Sequence, residues 1–187
     1  MTATRRTAFL DRDGTLNREQ SFVTRPAELE VLPGAVDALR ALAAADVAIV
    51  VVTNQSGIAR GLYSERDLAA IHRELHERLE RLPLAYLHCP HHPDLAGPWG
   101  GGCPCRKPQP GLLHAARALL GVDFEGGLLA GDSARDLLAG RGLPLRSAYV
   151  RTGKDPETEL AKLAAAGMTP DCDAPDLQAA VEWYLGA

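Results

Sequence analysis

Two aspartates separated by one arginine, Asp11-Arg12-Asp13, are followed at once by Gly14 and Thr15 and come directly after the apolar run Ala8 to Leu10. At the end of a strand, side chains at i and i+2 point the same way, so the pair should face one crevice. Two such carboxylates repel unless a cation sits near them. A third, Asp132, follows the apolar run Leu128 to Ala130 through Gly131. Three oxygen-bearing groups suit Mg2+, which takes a few carboxylates and completes its shell with water and phosphate oxygens. Gly14 lets the chain turn sharply where the strand ends. A calcium loop of the EF-hand type also opens Asp-x-Asp, but it needs glycine at its sixth position, and here glycine is fourth.

Thr53, Ser56 and the amides around them follow another apolar run and form a cup of donors suited to phosphate oxygens. Arg106 and Lys107, flanked by Pro108 and Pro110, put two cations in a stiffened loop, where they can stabilise charge on a transferring phosphoryl group. Each feature alone has an ordinary reading as an Asp-Gly turn, a capping turn or a surface basic pair. Together they carry the parts of one phosphoryl-transfer scheme.

Cys89-Pro90-His91 is followed, after eleven intervening residues, by Cys103-Pro104-Cys105. Three thiolates and one imidazole make a closed tetrahedral zinc set with no position left for water, which is a structural site. His92 competes with His91 for the imidazole position, and Cys172 lies far away as an ordinary core or surface residue. Because Arg106 and Lys107 follow Cys105 directly, zinc would pin the two cations.

Positioning these groups requires a scaffold. Apolar runs at Ala8 to Leu10, Val47 to Val52, Leu128 to Ala130 and Ala148 to Val150 read as buried strands. Helix-period segments lie at Ala35 to Ala45, Glu65 to Leu82, Gly111 to Leu120 and Ala134 to Gly140, with Ser64 and Ser133 as N-caps and a last helix from Pro175 to Leu185. Alternation of this kind predicts an α/β fold, a parallel sheet with helices on both faces. Ligands of such folds bind outside the carboxyl ends of the strands. Cys89 to Gly111, rich in Pro, Gly, His and Cys, fits no regular pattern and reads as a long functional loop.

Composition sets the outer bounds. The 187 residues fit one domain, residues 1–187. A net charge of −4 excludes a polyanion-binding surface, so nucleic acid is not an expected partner. No run approaches a membrane span, and Met1 to Arg6 leads into a strand rather than a signal-peptide apolar region, so the expected location is the cytoplasm.

The four segments resemble the four motifs of the haloacid dehalogenase (HAD) superfamily of phosphotransferases: Asp11 to Thr15, Thr53, Lys107 and Gly131-Asp132. Within it, Thr53 to Gly61, Cys89 to Pro93 and Cys103 to Pro108 are similar to the D-glycero-D-manno-heptose 1,7-bisphosphate 7-phosphatase family. The resemblance implies a three-layer Rossmann-like fold with no large cap domain, a phospho-aspartate on Asp11, general acid-base work by Asp13, and catalytic roles for Thr53 and Lys107. It implies Mg2+ held by Asp11, the backbone carbonyl of Asp13 and Asp132, and zinc held by Cys89, His91, Cys103 and Cys105. Substrate contacts fall to Arg12, Glu19, Gln20, Ser21, Phe22, Asn54, Gln55, Ser56, Arg60 and Arg106, the substrate being a small phosphorylated sugar and the protein a monomer. Histidinol-phosphate phosphatase shares the same patterns and is the rival reading. A non-catalytic phosphate-binding module is the remote one. The chain departs from the family pattern at Ser133, where lysine is common, with Arg135 as the cation that could replace it, and at Gln20-Ser21-Phe22.

Overall fold

The computed structural model describes residues 5–186; residues 1–4, part of the segment read above for a leader, lie outside it. Six strands, β1 (Thr7–Leu10), β2 (Ala48–Asn54), β3 (Ala85–Cys89), β4 (Gly127–Gly131), β5 (Leu145–Val150) and β6 (Cys172–Ala174), form one sheet in the order β3-β2-β1-β4-β5-β6. Every pairing is parallel. The crossovers are α1 (Ala35–Ala44), α2 (Glu65–Arg78), α3 (Gly111–Leu120), α4 (Ala134–Leu138) and α5 (Pro156–Ala165), and α6 (Leu177–Leu185) closes the chain.

The period-2 alternation of the strands divides the core. Ala8, Leu10, Ile49, Val51, Leu128 and Ala130 pack with Leu39, Leu42, Ile71, Leu75 and Val181 of α1, α2 and α6. Phe9, Val50, Val52 and Leu129 point the other way, toward Leu112, Leu113 and Ala116 of α3. Leu137 and Leu163 of α4 and α5 pack with Tyr149 of β5. The result is the expected three-layer α/β architecture, because strands buried on both faces need helices on both. Among the described residues, no helix is long and apolar enough to cross a membrane.

Several boundaries differ from the sequence reading. β2 runs on to Asn54, so Thr53 and Asn54 belong to the strand and not to the loop after it. Helix α2 ends at Arg78, four residues short of the expected Leu82, because Glu80 and Arg81 take left-handed φ values of 54° and 59°. Helix α6 begins at Leu177 behind Asp176, whose side chain accepts from the Ala179 N–H at 2.8 Å. Cys89 is the last residue of β3 and Gly111 the first of α3, leaving 90–110 as the long loop. β3, β6 and α5 were not expected.

Candidate active site

The carboxyl ends of β1, β2 and β4 lie side by side in the sheet centre, and Asp11, Asp13, Thr53 to Ser56 and Arg135 of α4 line a cavity of about 300 Å3; Asp132 is outside that lining, grouped with Asp11 and Asp136. Asp11 continues the β1 ladder, its N–H donating to Ala130 O at 3.0 Å. Asp13 is not reached by strand alternation, as the sequence suggested. The chain winds into a turn in which the Arg12 carbonyl accepts from the N–H groups of Thr15, Leu16 and Asn17, with Gly14 at φ 83°. Both carboxylates still line the same cavity.

Asp11 faces Lys107. Lys107 Nζ lies 2.8 Å from Asp11 Oδ1, 2.7 Å from Asp136 Oδ1 and 2.7 Å from the Val52 carbonyl. Burial alone would strip Lys107 of its proton, but Asp11 and Asp136 outweigh it and hold the ammonium charged. Burial and the neighbouring Asp136 push Asp11 up to about 6, with Lys107 opposing them. Asp132 goes up to about 8, through burial and then repulsion from Asp136 and Asp11.

Asp13 behaves in the opposite way. Burial would raise its pKa, but Arg12 donates to both oxygens at 2.8 and 2.7 Å, Asn17 Nδ2 at 2.9 Å and Gln55 Nε2 at 2.9 Å, so the carboxyl is held below its usual range. Gln55 also donates to Thr53 Oγ1 at 2.9 Å and accepts from Tyr63 Oη at 2.6 Å. Asn54 makes a reciprocal pair with the Lys107 main chain, both bonds at 3.0 Å.

Arg12, Asn54 and Gln55 were expected to contact substrate. Their side chains bond Asp13, Lys107 and Thr53, and all three border the cavity. Glu19, Ser21, Phe22, Thr53, Ser56, Arg60, Arg106 and Lys107 line it as well. Gln20 is the exception: it is exposed and does not border the cavity. Sequence reasoning missed Asp136, Tyr63 and the Lys154 side chain, which lies 3.2 Å from Glu19. Asp136 stands three residues after Ser133, where an acidic N3 residue is read as a helix cap; here its Oδ2 does accept from the Ser133 N–H while Oδ1 meets Lys107.

The oxygen cluster fits a hard divalent cation. Asp11, Asp132 and Asp136 each offer an oxygen within 4.8 Å of the others. Asp132 Oδ1 is buried without a hydrogen-bond partner, while its Oδ2 accepts from the Lys154 N–H at 2.8 Å. A cation of two charges would relieve the repulsion that raises Asp11 and Asp132. Gly14 and Gly153 make room for this carboxylate: a Cβ on either would fall 2.4 or 2.0 Å from Asp132 Oδ2.

The Cys/His set also closes in space. Cys89, Cys103 and Cys105 are free thiols with sulfur separations of 3.5, 3.1 and 3.3 Å, and His91 Nδ1 lies 3.6 and 3.4 Å from Cys89 and Cys105. Bonds of zinc length imply tetrahedral edges of roughly 3.8 Å between sulfurs and about 3.5 Å between sulfur and nitrogen, so the nitrogen spacings match and the thiols stand a few tenths of an ångström closer. His92 is engaged elsewhere, its Nε2 lying 2.7 Å from Arg60 Nη2. Cys172 stands on β6, outside the set. Arg106 Nη1 donates to the His91 carbonyl at 3.0 Å, linking the thiol cluster to the cavity.

Comparison with known proteins agrees with this geometry. The HAD-hydrolase-like family model matches residues 104–180. The D-glycero-beta-D-manno-heptose-1,7-bisphosphate 7-phosphatase of Pasteurella multocida is 40% identical over 84% of this chain and 87% of its own. The enzyme of the same name from Bordetella bronchiseptica is 39% identical over 95% and 96%. This chain belongs to the heptose 1,7-bisphosphate 7-phosphatase family. The family fold is shared at full length: the crystal structure of the B. bronchiseptica D,D-heptose 1,7-bisphosphate phosphatase, complexed with magnesium and phosphate, superposes with a TM-score of 0.82 at 36% identity, covering 97% of this chain and 98% of that one.

Proposed function

We propose that this family member removes the 7-phosphate of D-glycero-D-manno-heptose 1,7-bisphosphate through a phospho-aspartate on Asp11. The observation that carries the reading is the buried contact of Lys107 with Asp11 inside a cavity whose lining holds six cationic side chains against three carboxylates. That excess suits a substrate with two phosphates, although the chain as a whole carries a net charge of −4.

Lys107 keeps Asp11 ionised near neutral pH and screens it from the incoming phosphate. An Asp11 oxygen attacks phosphorus, the bond from phosphorus to the sugar oxygen breaks, and Asp13 gives that oxygen its proton. Water then attacks phosphorus, its proton passes to Asp13, and the Asp11 carboxylate is restored. The donors around Asp13 favour the carboxylate form needed in this second half. For the first half, the negative charge of the bound substrate raises the proton affinity of Asp13. General acid-base help of this kind contributes roughly 10²- to 10⁴-fold. Thr53, whose hydroxyl oxygen already accepts from Gln55, has its own proton to donate to a phosphoryl oxygen.

Mg2+ fits Asp11, Asp132 and the Asp13 carbonyl, and when bound it neutralises charge on the transferring group. Among the described residues no backbone N–H donates to that carbonyl, which leaves it available. Zinc on Cys89, His91, Cys103 and Cys105 would fix the loop carrying Arg106 and Lys107. Such a thiol site belongs in a reducing, cytoplasmic compartment. The same reading takes the protein as a monomer built of one domain over residues 1–187.

The test is kcat/KM, with and without Mg2+, for both anomers of the heptose bisphosphate, fructose 1,6-bisphosphate and histidinol phosphate. The reading expects the heptose bisphosphate to lead the panel in an Mg2+-dependent manner, and the common name of the relatives favours its β anomer. Preference for histidinol phosphate would replace the substrate assignment, and no turnover of any ester would replace the enzyme reading.

A further inference from the structure

Five of the six cations lining the cavity already have partners. Arg12 is bound to Asp13, Arg60 to His92, Arg106 to the His91 carbonyl, Lys107 to Asp11 and Asp136, and Lys154 to Glu19. Arg135, on α4, lines the same cavity and is partly buried, yet among the described residues its guanidinium makes no hydrogen bond and no ion pair. Its Nε–H is buried without an acceptor. A buried donor left open in this way is costly unless something completes it.

The surroundings indicate what does so. The carboxylates Asp136, Asp11, Asp132 and Glu19 hold the guanidinium charged against burial, yet none of them bonds it. Arg106 lines the same cavity, with its Nη1 donating to the His91 carbonyl at 3.0 Å. Two guanidiniums on one cavity repel each other unless an anion comes between them, and their planar forks match phosphate oxygens. Ser133 cannot supply that contact. It is 2% exposed, and its hydroxyl and N–H both donate to Asp136.

We propose that Arg135 determines substrate specificity by closing, with Arg106, a two-arginine clamp on the phosphate that is retained. Lys107 is left to serve the phosphoryl group that is transferred. This deepens the phosphatase reading and rests on it.

The test measures kcat/KM for heptose bisphosphate and p-nitrophenyl phosphate in Arg135→Ala and Arg135→Lys, together with the Kd of the bisphosphate in an Asp11→Asn background. A lost charge-assisted contact should lower the preference for the bisphosphate over p-nitrophenyl phosphate by about 10- to 150-fold and weaken binding by a similar factor. Lysine should restore part of both, since it keeps the charge without the fork. Adding Arg106→Ala should cost less than the two single losses combined, because both arginines hold one group. Equal losses on the two substrates would place Arg135 at the reacting phosphate, and a preference and Kd within about threefold of the parent would remove it from the substrate; either result overturns the clamp. If the parent hydrolyses neither ester, the phosphatase reading falls and with it the division into retained and transferred phosphates; a weaker bisphosphate Kd in Arg135→Ala would then still support Arg135 as a phosphate contact.

Discussion

Lys107 Nζ sits 2.8 Å from Asp11 Oδ1, and the two side chains are only 2% and 7% exposed. Such a contact survives burial because a second carboxylate, Asp136, meets the same ammonium at 2.7 Å and the Val52 carbonyl takes another of its protons. Position, not charge alone, is what Asp136 supplies.

Asp136→Asn should therefore lower kcat on the order of 10²-fold, the scale expected when a reacting group is displaced by about an ångström. The readout is kcat for the parent, Asp136→Asn, Lys107→Met and the double variant. Non-additive losses identify one unit. A fully active Asp136→Asn would mean that Lys107 is positioned without it.

Metal-free protein should lose stability as pH rises. The folded-state pKa values of Asp11 and Asp132 lie at about 6 and about 8, above the ordinary carboxylate value of 3.8. The folded state thus binds more protons than the unfolded state between about pH 4 and pH 8, and stability falls across that window. Mg2+ competes with those protons, so its stabilising effect grows over the same range. Tm measured at pH 5 and pH 8, with and without Mg2+, decides the matter. A larger Mg2+ effect at pH 5 would contradict the carboxylate site.

Gly153→Ala isolates the metal site from the rest of the fold. The added Cβ would lie 2.0 Å from Asp132 Oδ2 and 2.8 Å from the Gly14 backbone, so the carboxylate must move. Mg2+ affinity by calorimetry should fall at least tenfold, about 1.4 kcal/mol, while zinc content stays unchanged. Unaltered Mg2+ affinity would show that Asp132 is not a ligand.

Most of the central sheet was legible in the chain because β1, β2, β4 and β5 are continuous apolar runs buried on both faces. β3, with the sequence Ala-Tyr-Leu-His-Cys, is an edge strand only partly buried for four of its five residues, and β6 has three residues. The Ala85-Tyr86-Leu87 run of β3 is short and only half-buried, and Cys172-Asp173-Ala174 gives none. α5 did carry a start signal, Asp155 capping Thr158 N–H with Pro156 at the first helical position. In the site, residue type and order pointed to Asp11, Asp13, Asp132 and Lys107, which the fold brings together, and to Cys89, His91, Cys103 and Cys105, which also converge. What spacing could not reveal was the bonding between neighbours: Arg12, Asn54 and Gln55 border the cavity and also hold Asp13 and Lys107 through tertiary contacts. Asp136 was hidden for the complementary reason, since an acid three residues into a helix looks like a cap.

Replacing Cys103 by serine should remove zinc and loosen the loop that carries the two cations. Zinc content should drop from one per chain, and Tm should fall by about 5 °C or more, the shift expected for a few kcal/mol in a chain of this size. KM for the bisphosphate should rise as Arg106 loses its anchor on the His91 carbonyl. If zinc content and Tm both match the parent, the cluster is four unconnected side chains.

In the proposed reaction Asp11 is the residue whose oxygen bonds to phosphorus, and rapid quenching of a single turnover with labelled heptose bisphosphate examines that step. The phosphoprotein formed should be stable to acid, labile to hydroxylamine, and convertible by borohydride to homoserine at position 11, with no label in Asp11→Asn. Label on another residue, or full turnover with no phosphoprotein at any quench time, would contradict it.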